Sequence, residues 1–116
     1  MENINEKKSE LKLNKVLKVI NAKVKGVFKP EDAAYFVAEY TNIVNQIDAK
    51  EYELIFDCTE LRVNTQDMVT VLKGCFDMYK KDEFKKLVFD CGSNLSLKMQ
   101  CNRVARLAEL KNYEVI

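Results

Sequence analysis

A chain of 116 residues with 19 basic and 18 acidic side chains, net charge +1, is one domain's worth of sequence with no global charge bias for holding nucleic acid or an anionic membrane. It has no histidine, which excludes Ser-His-Asp and Cys-His nucleophilic sites and removes the commonest zinc ligand. No apolar run approaches the roughly 20 residues of a membrane span, and the N-terminus is charged where a signal peptide would be apolar, so a cytoplasmic location is expected.

Residues 1–12, poor in apolar groups, are expected to form a flexible tail ahead of a single domain over residues 13–116. From Asn14 an alternation of period two begins, with Val16, Ile20, Ala22, Val24, Gly26 and Phe28 interleaved with Asn21, Lys23, Lys25 and Lys29. It predicts one long bent strand or two short ones meeting near Asn21-Ala22, and its lysines suit a sheet edge. Lys29-Pro30-Glu31-Asp32 reads as a helix start, because proline fits the first turn and acidic groups complement the dipole there. Ala33, Phe36, Val37, Tyr40, Ile43, Val44 and Ile47 then recur at three- and four-residue steps and predict an amphipathic helix to about Asp48, with Tyr35, Phe36 and Tyr40 read as core.

Two runs, Leu54-Ile55-Phe56-Asp57-Cys58 and Leu87-Val88-Phe89-Asp90-Cys91, repeat one pattern 33 residues apart. Each is short, branched and aromatic, and each is followed by a polar turn and a helical pattern, which is the signature of parallel strands covered by helices. Between them, Asn64 or Thr65 is the cap of a second helix with the stripe Met68, Leu72, Cys75, Phe76 and Tyr79, and Gly74 is expected to mark close approach to the sheet. Lys80-Lys81-Asp82-Glu83 reads as a charged turn. A third helix follows the turn Gly92-Ser93-Asn94, with Leu97, Cys101, Val104, Leu107 and Ala108 inward and Lys98, Arg103, Arg106 and Lys111 outward, and residues 113–116 close the chain as a strand. The order β(β)αβαβαβ predicts an α/β domain with a mixed, largely parallel sheet of four to five strands and three helices.

Cysteines 58, 75, 91 and 101 show no Cys-x-x-Cys spacing and fall in apolar patterns, so they read as small core residues. Asp57 and Asp90, at strand ends, invite a phosphoacceptor or metal-binding role, but Thr59 stands where a phosphatase of the dehalogenase type needs its second aspartate. Asx turns are the better reading of both. A thiol phosphatase would need arginine where Leu97 stands. Gly92, Ser93 and Asn94 precede a helix start, where backbone N–H groups can hold an anion, and form a candidate anion site. The basic side of the third helix reads as a solvated face, one that an acidic protein partner would also fit.

An alternating stretch ending Lys25-Gly26-Val27-Phe28, a helix, a strand closed by Asp57, a polar connection and two further strand and helix units together resemble the STAS family, over about residues 14–116. The Gly26-x-x-Lys29-Pro30-Glu31-Asp32 run into the first helix and the Asp57-Cys58-Thr59-Glu60-Leu61-Arg62-Val63 segment carry the resemblance. The family includes bacterial anti-sigma-factor antagonists and cytoplasmic domains of anion transporters. Its Asp-Ser-Ser-Gly-Leu segment, whose second serine a partner kinase phosphorylates, falls here on Asn64-Thr65-Gln66-Asp67-Met68. Only Thr65 remains there to accept phosphate, and Asp67 places a permanent negative charge at the helix start, resembling a phosphorylated form.

The resemblance implies a non-catalytic regulatory module that meets a protein partner through Asn64, Thr65, Gln66, Asp67, Met68 and Lys73; the near-neutral charge, the lack of a membrane-length apolar run and the lack of histidine lead us to expect no nucleic acid, membrane, metal or cofactor. The alternative is a structural or assembly subunit, for example of a phage or multiprotein complex, that self-associates through a sheet edge or helix face.

Overall fold

The computed structural model describes residues 7–63 and 65–116. It is an α/β fold with three helices on a five-stranded, mostly parallel mixed sheet. Strands β1 (Ser9–Asn14), β2 (Val19–Gly26), β3 (Glu53–Leu61), β4 (Lys86–Asp90) and β5 (Tyr113–Val115) lie in chain order across the sheet. Only β1 and β2 run antiparallel. The tail expected over residues 1–12 is therefore corrected at Ser9–Asn14, which form a paired strand; residues 1–6 lie outside the described residues. The missed signal is the alternation of Leu11 and Leu13, half-buried opposite Ala22 and Ile20, with exposed Glu10 and Lys12.

The hairpin turn also falls elsewhere than expected. Asn14 Oδ1 accepts from the N–H groups of Val16 and Leu17 at 3.1 and 2.9 Å, Lys18 takes a left-handed φ of 57°, and β2 runs unbroken through Asn21-Ala22. The asparagine side chain substitutes for a backbone turn, so the chain reverses between Asn14 and Val19, ahead of the Asn21-Ala22 position that the apolar alternation alone indicates.

Helix α1 (Pro30–Val44) begins where Asp32 Oδ2 accepts the Lys29 N–H at 2.8 Å. It stops short of Asp48, whose carboxylate instead accepts from Lys50 N to start a single 3-10 turn, Ala49–Glu51. Helix α2 (Gln66–Asp82) runs through the predicted charged turn and ends on Glu83 in the left-handed region, φ 58°. Helix α3 (Leu95–Leu107) is capped by Asn94, whose Oδ1 accepts from Leu97 N at 3.0 Å.

Each crossover from β2 to β5 advances one strand in the same direction, and right-handed connections then place α1, α2 and α3 on one face. Ile20, Ala22, Val24, Leu54, Phe56, Cys58, Leu87 and Phe89 are buried beneath them. Helical cover thus applies to one face alone. The other carries Asn21, Lys23, Asp57, Asp90 and Glu114, with Ile55 and Val88 half-buried among them. The core is aromatic at its centre: Phe89 stacks on Phe56 and on Phe76, with centroids 5.3 and 4.7 Å apart, and Tyr79, Tyr40 and Phe36 close round them.

Gly74 is the clearest departure within a helix. It is exposed, and a Cβ built on it meets nothing within 4 Å, so it marks no close approach to the sheet. Gly74→Ala should stabilise the fold by about 0.5–1 kcal/mol in urea melts, because alanine loses less backbone entropy on folding. Phe89→Ala should cost about 3–5 kcal/mol by emptying the centre of the stack. A destabilised Gly74→Ala would show that the glycine is needed for packing.

Candidate functional site

The carboxyl ends of the strands and the helix starts beside them bring the sequence-derived candidates together. Asp57 and Asp90 lie opposite one another on β3 and β4, and each folds back onto its own chain. Asp57 Oδ1 accepts from the N–H and hydroxyl of Thr59 at 3.0 and 2.7 Å, and Asp90 Oδ1 accepts from Gly92 N at 2.9 Å. The second is the expected Asx turn at a strand end; the first is a correction, because β3 continues to Leu61 and the Asp57–Thr59 contact lies at the register shift between Lys23 and Lys25 rather than at a turn. Gly92 is required in the second, since its φ is 61° and a Cβ there would lie 3.2 Å from Thr59 Cγ2.

The same contacts occupy the candidate anion loop. The Gly92 N–H is taken by Asp90, the Leu97 N–H by Asn94, and the Asp90 carboxylate stands beside the turn. Ser93 is exposed between them. Strand order also never reverses between β2 and β5, so the sheet lacks the crevice in which doubly wound folds bind nucleotides.

The candidate partner surface divides into three parts. Asn64 lies outside the described residues. Thr65 caps α2, its Oγ1 accepting from Met68 N at 3.1 Å, and Gln66 and Asp67 stand exposed in the first turn. Met68 turns inward and is 3% exposed, so its side chain belongs to the core. Lys73, seven residues past Gln66 and so on the same side of the helix, pairs with Asp77 at 2.9 Å.

Beside this turn lies a feature that no motif announced. α2 packs more extensively on α3 than on α1, and the gap on the α1 side is an apolar cavity of about 40 Å³. Phe28, Val71 and Leu72, all part-exposed, form its mouth; Leu61, Met68, Phe36 and Phe56 line it more deeply. Phe28, an aromatic residue between strand and helix rather than within either, was the available signal.

Burial holds several polar groups neutral. Burial drives the Cys58 thiol far up and the Cys75 thiol up to about 11, so neither is a thiolate at neutral pH. Cys91 Sγ and Cys101 Sγ lie 3.9 Å apart as free thiols in contact. The Tyr40 hydroxyl, raised by burial and then by its hydrogen bond to Asp82, ties α1 to the end of α2 at 2.5 Å. Among the described residues, no three His, Cys, Asp or Glu side chains gather closely enough to hold a metal ion, and no helix is long and apolar enough to cross a membrane.

No family model matches the chain, and no curated protein matches it significantly.

Two carboxylates carry a pH signature. The Thr59 hydroxyl and N–H hold Asp57 below the ordinary carboxylate value. Partial burial pushes Asp32 up, but the Lys29 N–H and the Lys8 ammonium at 3.0 Å outweigh it and leave the group lowered. A depressed folded pKa contributes stability above the unfolded value, about pH 4, and that contribution is lost as pH falls through the folded value. Thr59→Ala should therefore return the Asp57 carboxyl toward its ordinary pKa in a carbon-detected NMR titration while leaving Asp32 unmoved. An unchanged Asp57 would show that Thr59 is not the cause.

Proposed function

We propose that this chain is a non-catalytic, cytoplasmic interaction module of the STAS-like kind, which meets a protein partner through the exposed first turn of α2. The observation that carries this reading is the pairing of a polar helix start with an apolar opening: Thr65, Gln66 and Asp67 stand in solvent beside the cavity mouth formed by Phe28, Val71 and Leu72. A partner that seats one apolar side chain in the opening and hydrogen-bonds around its rim has the anatomy of an interface hot spot. The resemblance to the STAS family supports the same place, since the family's regulatory segment aligns with residues 64–68. Asp67 supplies the negative charge that phosphorylation would add elsewhere, at a helix end that favours it.

An assembly subunit is the second reading. It is favoured by β1, which among the described residues pairs with β2 alone and so presents an open edge for a second chain. Sedimentation equilibrium distinguishes the two, because association through this edge makes the apparent mass rise with concentration.

The test of the first reading separates surface from cap. Thr65→Ala removes the cap and should cost about 1 kcal/mol, so it is unsuited as a neutral probe. Gln66→Ala, Asp67→Lys and Leu72→Glu alter the rim instead. Asp67→Lys, which sets a cation at a helix start, and Leu72→Glu, which places a charge on a half-buried apolar position, should each lower the thermal midpoint, yet weaken a co-purifying partner at least about tenfold at a temperature where circular dichroism shows both variants fully folded. Undiminished binding by all three variants would overturn the proposal.

A further inference from the structure

The outward face of α3 combines two properties that the rest of the surface keeps apart. Of the large apolar side chains exposed among the described residues, three belong to this helix: Leu95, Met99 and Leu107, at 70, 72 and 55% exposure. Leu107 was expected inside; it faces solvent because Leu97, Cys101, Val104 and Ala105 define the buried side, and Met99 points directly away from them. Leu95, Met99, Arg103 and Leu107 are each four residues apart and form one continuous ridge of roughly 18 Å.

The charge on this ridge is of one sign. Leu95–Leu107 contains Lys98, Arg103 and Arg106 and no acidic residue. Among the described residues none of the three pairs with a carboxylate, whereas elsewhere Lys18, Lys23 and Lys86 sit 2.6, 3.1 and 3.2 Å from Glu51, Glu60 and Glu114. The next acidic residue along the chain after the helix, Glu109, lies 3.5 Å from Lys80.

We propose that this face is a docking surface for an acidic, amphipathic helical segment of a partner protein, which seats apolar side chains against Leu95, Met99 and Leu107 and sets carboxylates against Arg103, Arg106 and Lys98. The interleaving decides the occupant. A lipid surface wants apolar groups below the headgroups and cations at their level, but Arg103 stands inside the ridge between Met99 and Leu107 and would be drawn into the acyl region with them. A carboxylate on a facing helix satisfies Arg103 where it stands, in bidentate geometry. None of Leu95, Met99, Arg103 and Leu107 lines the cavity described above, and the proposal does not rest on that reading.

The probe is a helical peptide with a leucine seam flanked by glutamates, titrated into the full chain labelled for NMR, beside the same peptide with glutamine for glutamate. The expected result is saturable amide shifts confined to residues 95–107, absent with the glutamine peptide and weakened by added salt. Met99→Glu and Arg103→Glu should each lower the affinity by about tenfold or more with unchanged thermal midpoints, because both side chains stand in solvent. Lys50→Glu, on a distant turn, should leave it unchanged. The proposal is overturned if the glutamine peptide binds equally, if the shifts map elsewhere, or if both α3 variants bind like the parent chain. It is also overturned if the peptide fails while phosphatidylserine vesicles bind, or if it fails while the chain shows a self-association that Met99→Glu abolishes.

Discussion

Phe89 lies between Phe56 on the neighbouring strand and Phe76 on α2, with ring centroids 5.3 and 4.7 Å away, and the two layers of the domain meet on this stack. Tyr79 touches Phe56, Phe76 and Phe89, and passes the contact to Tyr40 and Phe36 on α1. Six rings thus join two central strands to two helices, and aromatic pairs contribute about 0.5–1.5 kcal/mol each beyond the area they bury. The Tyr40 hydroxyl reaches Asp82 at the rim of the cluster, so this ring also satisfies its polar end. The geometry fixes where α2 can sit, and therefore where its first turn emerges and how wide a gap it leaves against α1.

That cluster occupies one face only, a consequence of connectivity rather than of composition. Parallel strands are usually buried on both faces, yet a sheet whose crossovers all step the same way can receive helices on just one. The chain meets this with the strand pattern itself. Asp57, Asp90, Lys23 and Asn21 alternate with the buried positions and make the uncovered face polar, while Ile55 and Val88 remain half-buried at its centre. The apolar runs at 54–58 and 87–91 look continuous because each carries one branched residue on the open side. The two aspartates, which suggest chemistry when read as a pair, are each engaged by their own chain, Asp90 at the turn after β4 and Asp57 at an irregularity within β3.

What could be read from the amino acids was whatever depends on periodicity. The three helices, the two central strands and the burial of Cys58, Cys91 and Cys101 follow from spacings of two, three and four, and the cap of α2 from a hydroxyl residue just before its stripe. What escaped depends on single side chains acting against the local pattern. Asn14 reverses the chain by accepting two N–H groups, and Ser9–Asn14 becomes a strand because β2 is there to pair with it, although its own composition is polar. Met68 continues an apolar stripe and is accordingly buried, which removes it from the partner surface that a segment-level comparison assigned to it. The cavity is a property of helix spacing, set by how α2 packs against α3, and periodicity does not encode it; an aromatic residue outside any element, Phe28, was its one trace.

The same distinction explains why overall charge is a poor guide to this surface. The chain is nearly neutral, but its helices are not: α1 carries Glu31, Asp32 and Glu39 with no basic residue, and α3 carries Lys98, Arg103 and Arg106 with no acidic one. These sums cancel in the net charge, and at physiological ionic strength a field is felt over only about 8 Å, so a partner at α3 meets the local charge rather than the total. The acidic set is partly spent inside the fold, where Asp32 holds the Lys29 N–H and Lys8. The basic set has no such internal duty among the described residues. Those charges are well solvated as they stand; what sets this ridge apart is that they share it with exposed leucine and methionine, a combination whose sign of charge favours the acidic partner proposed above.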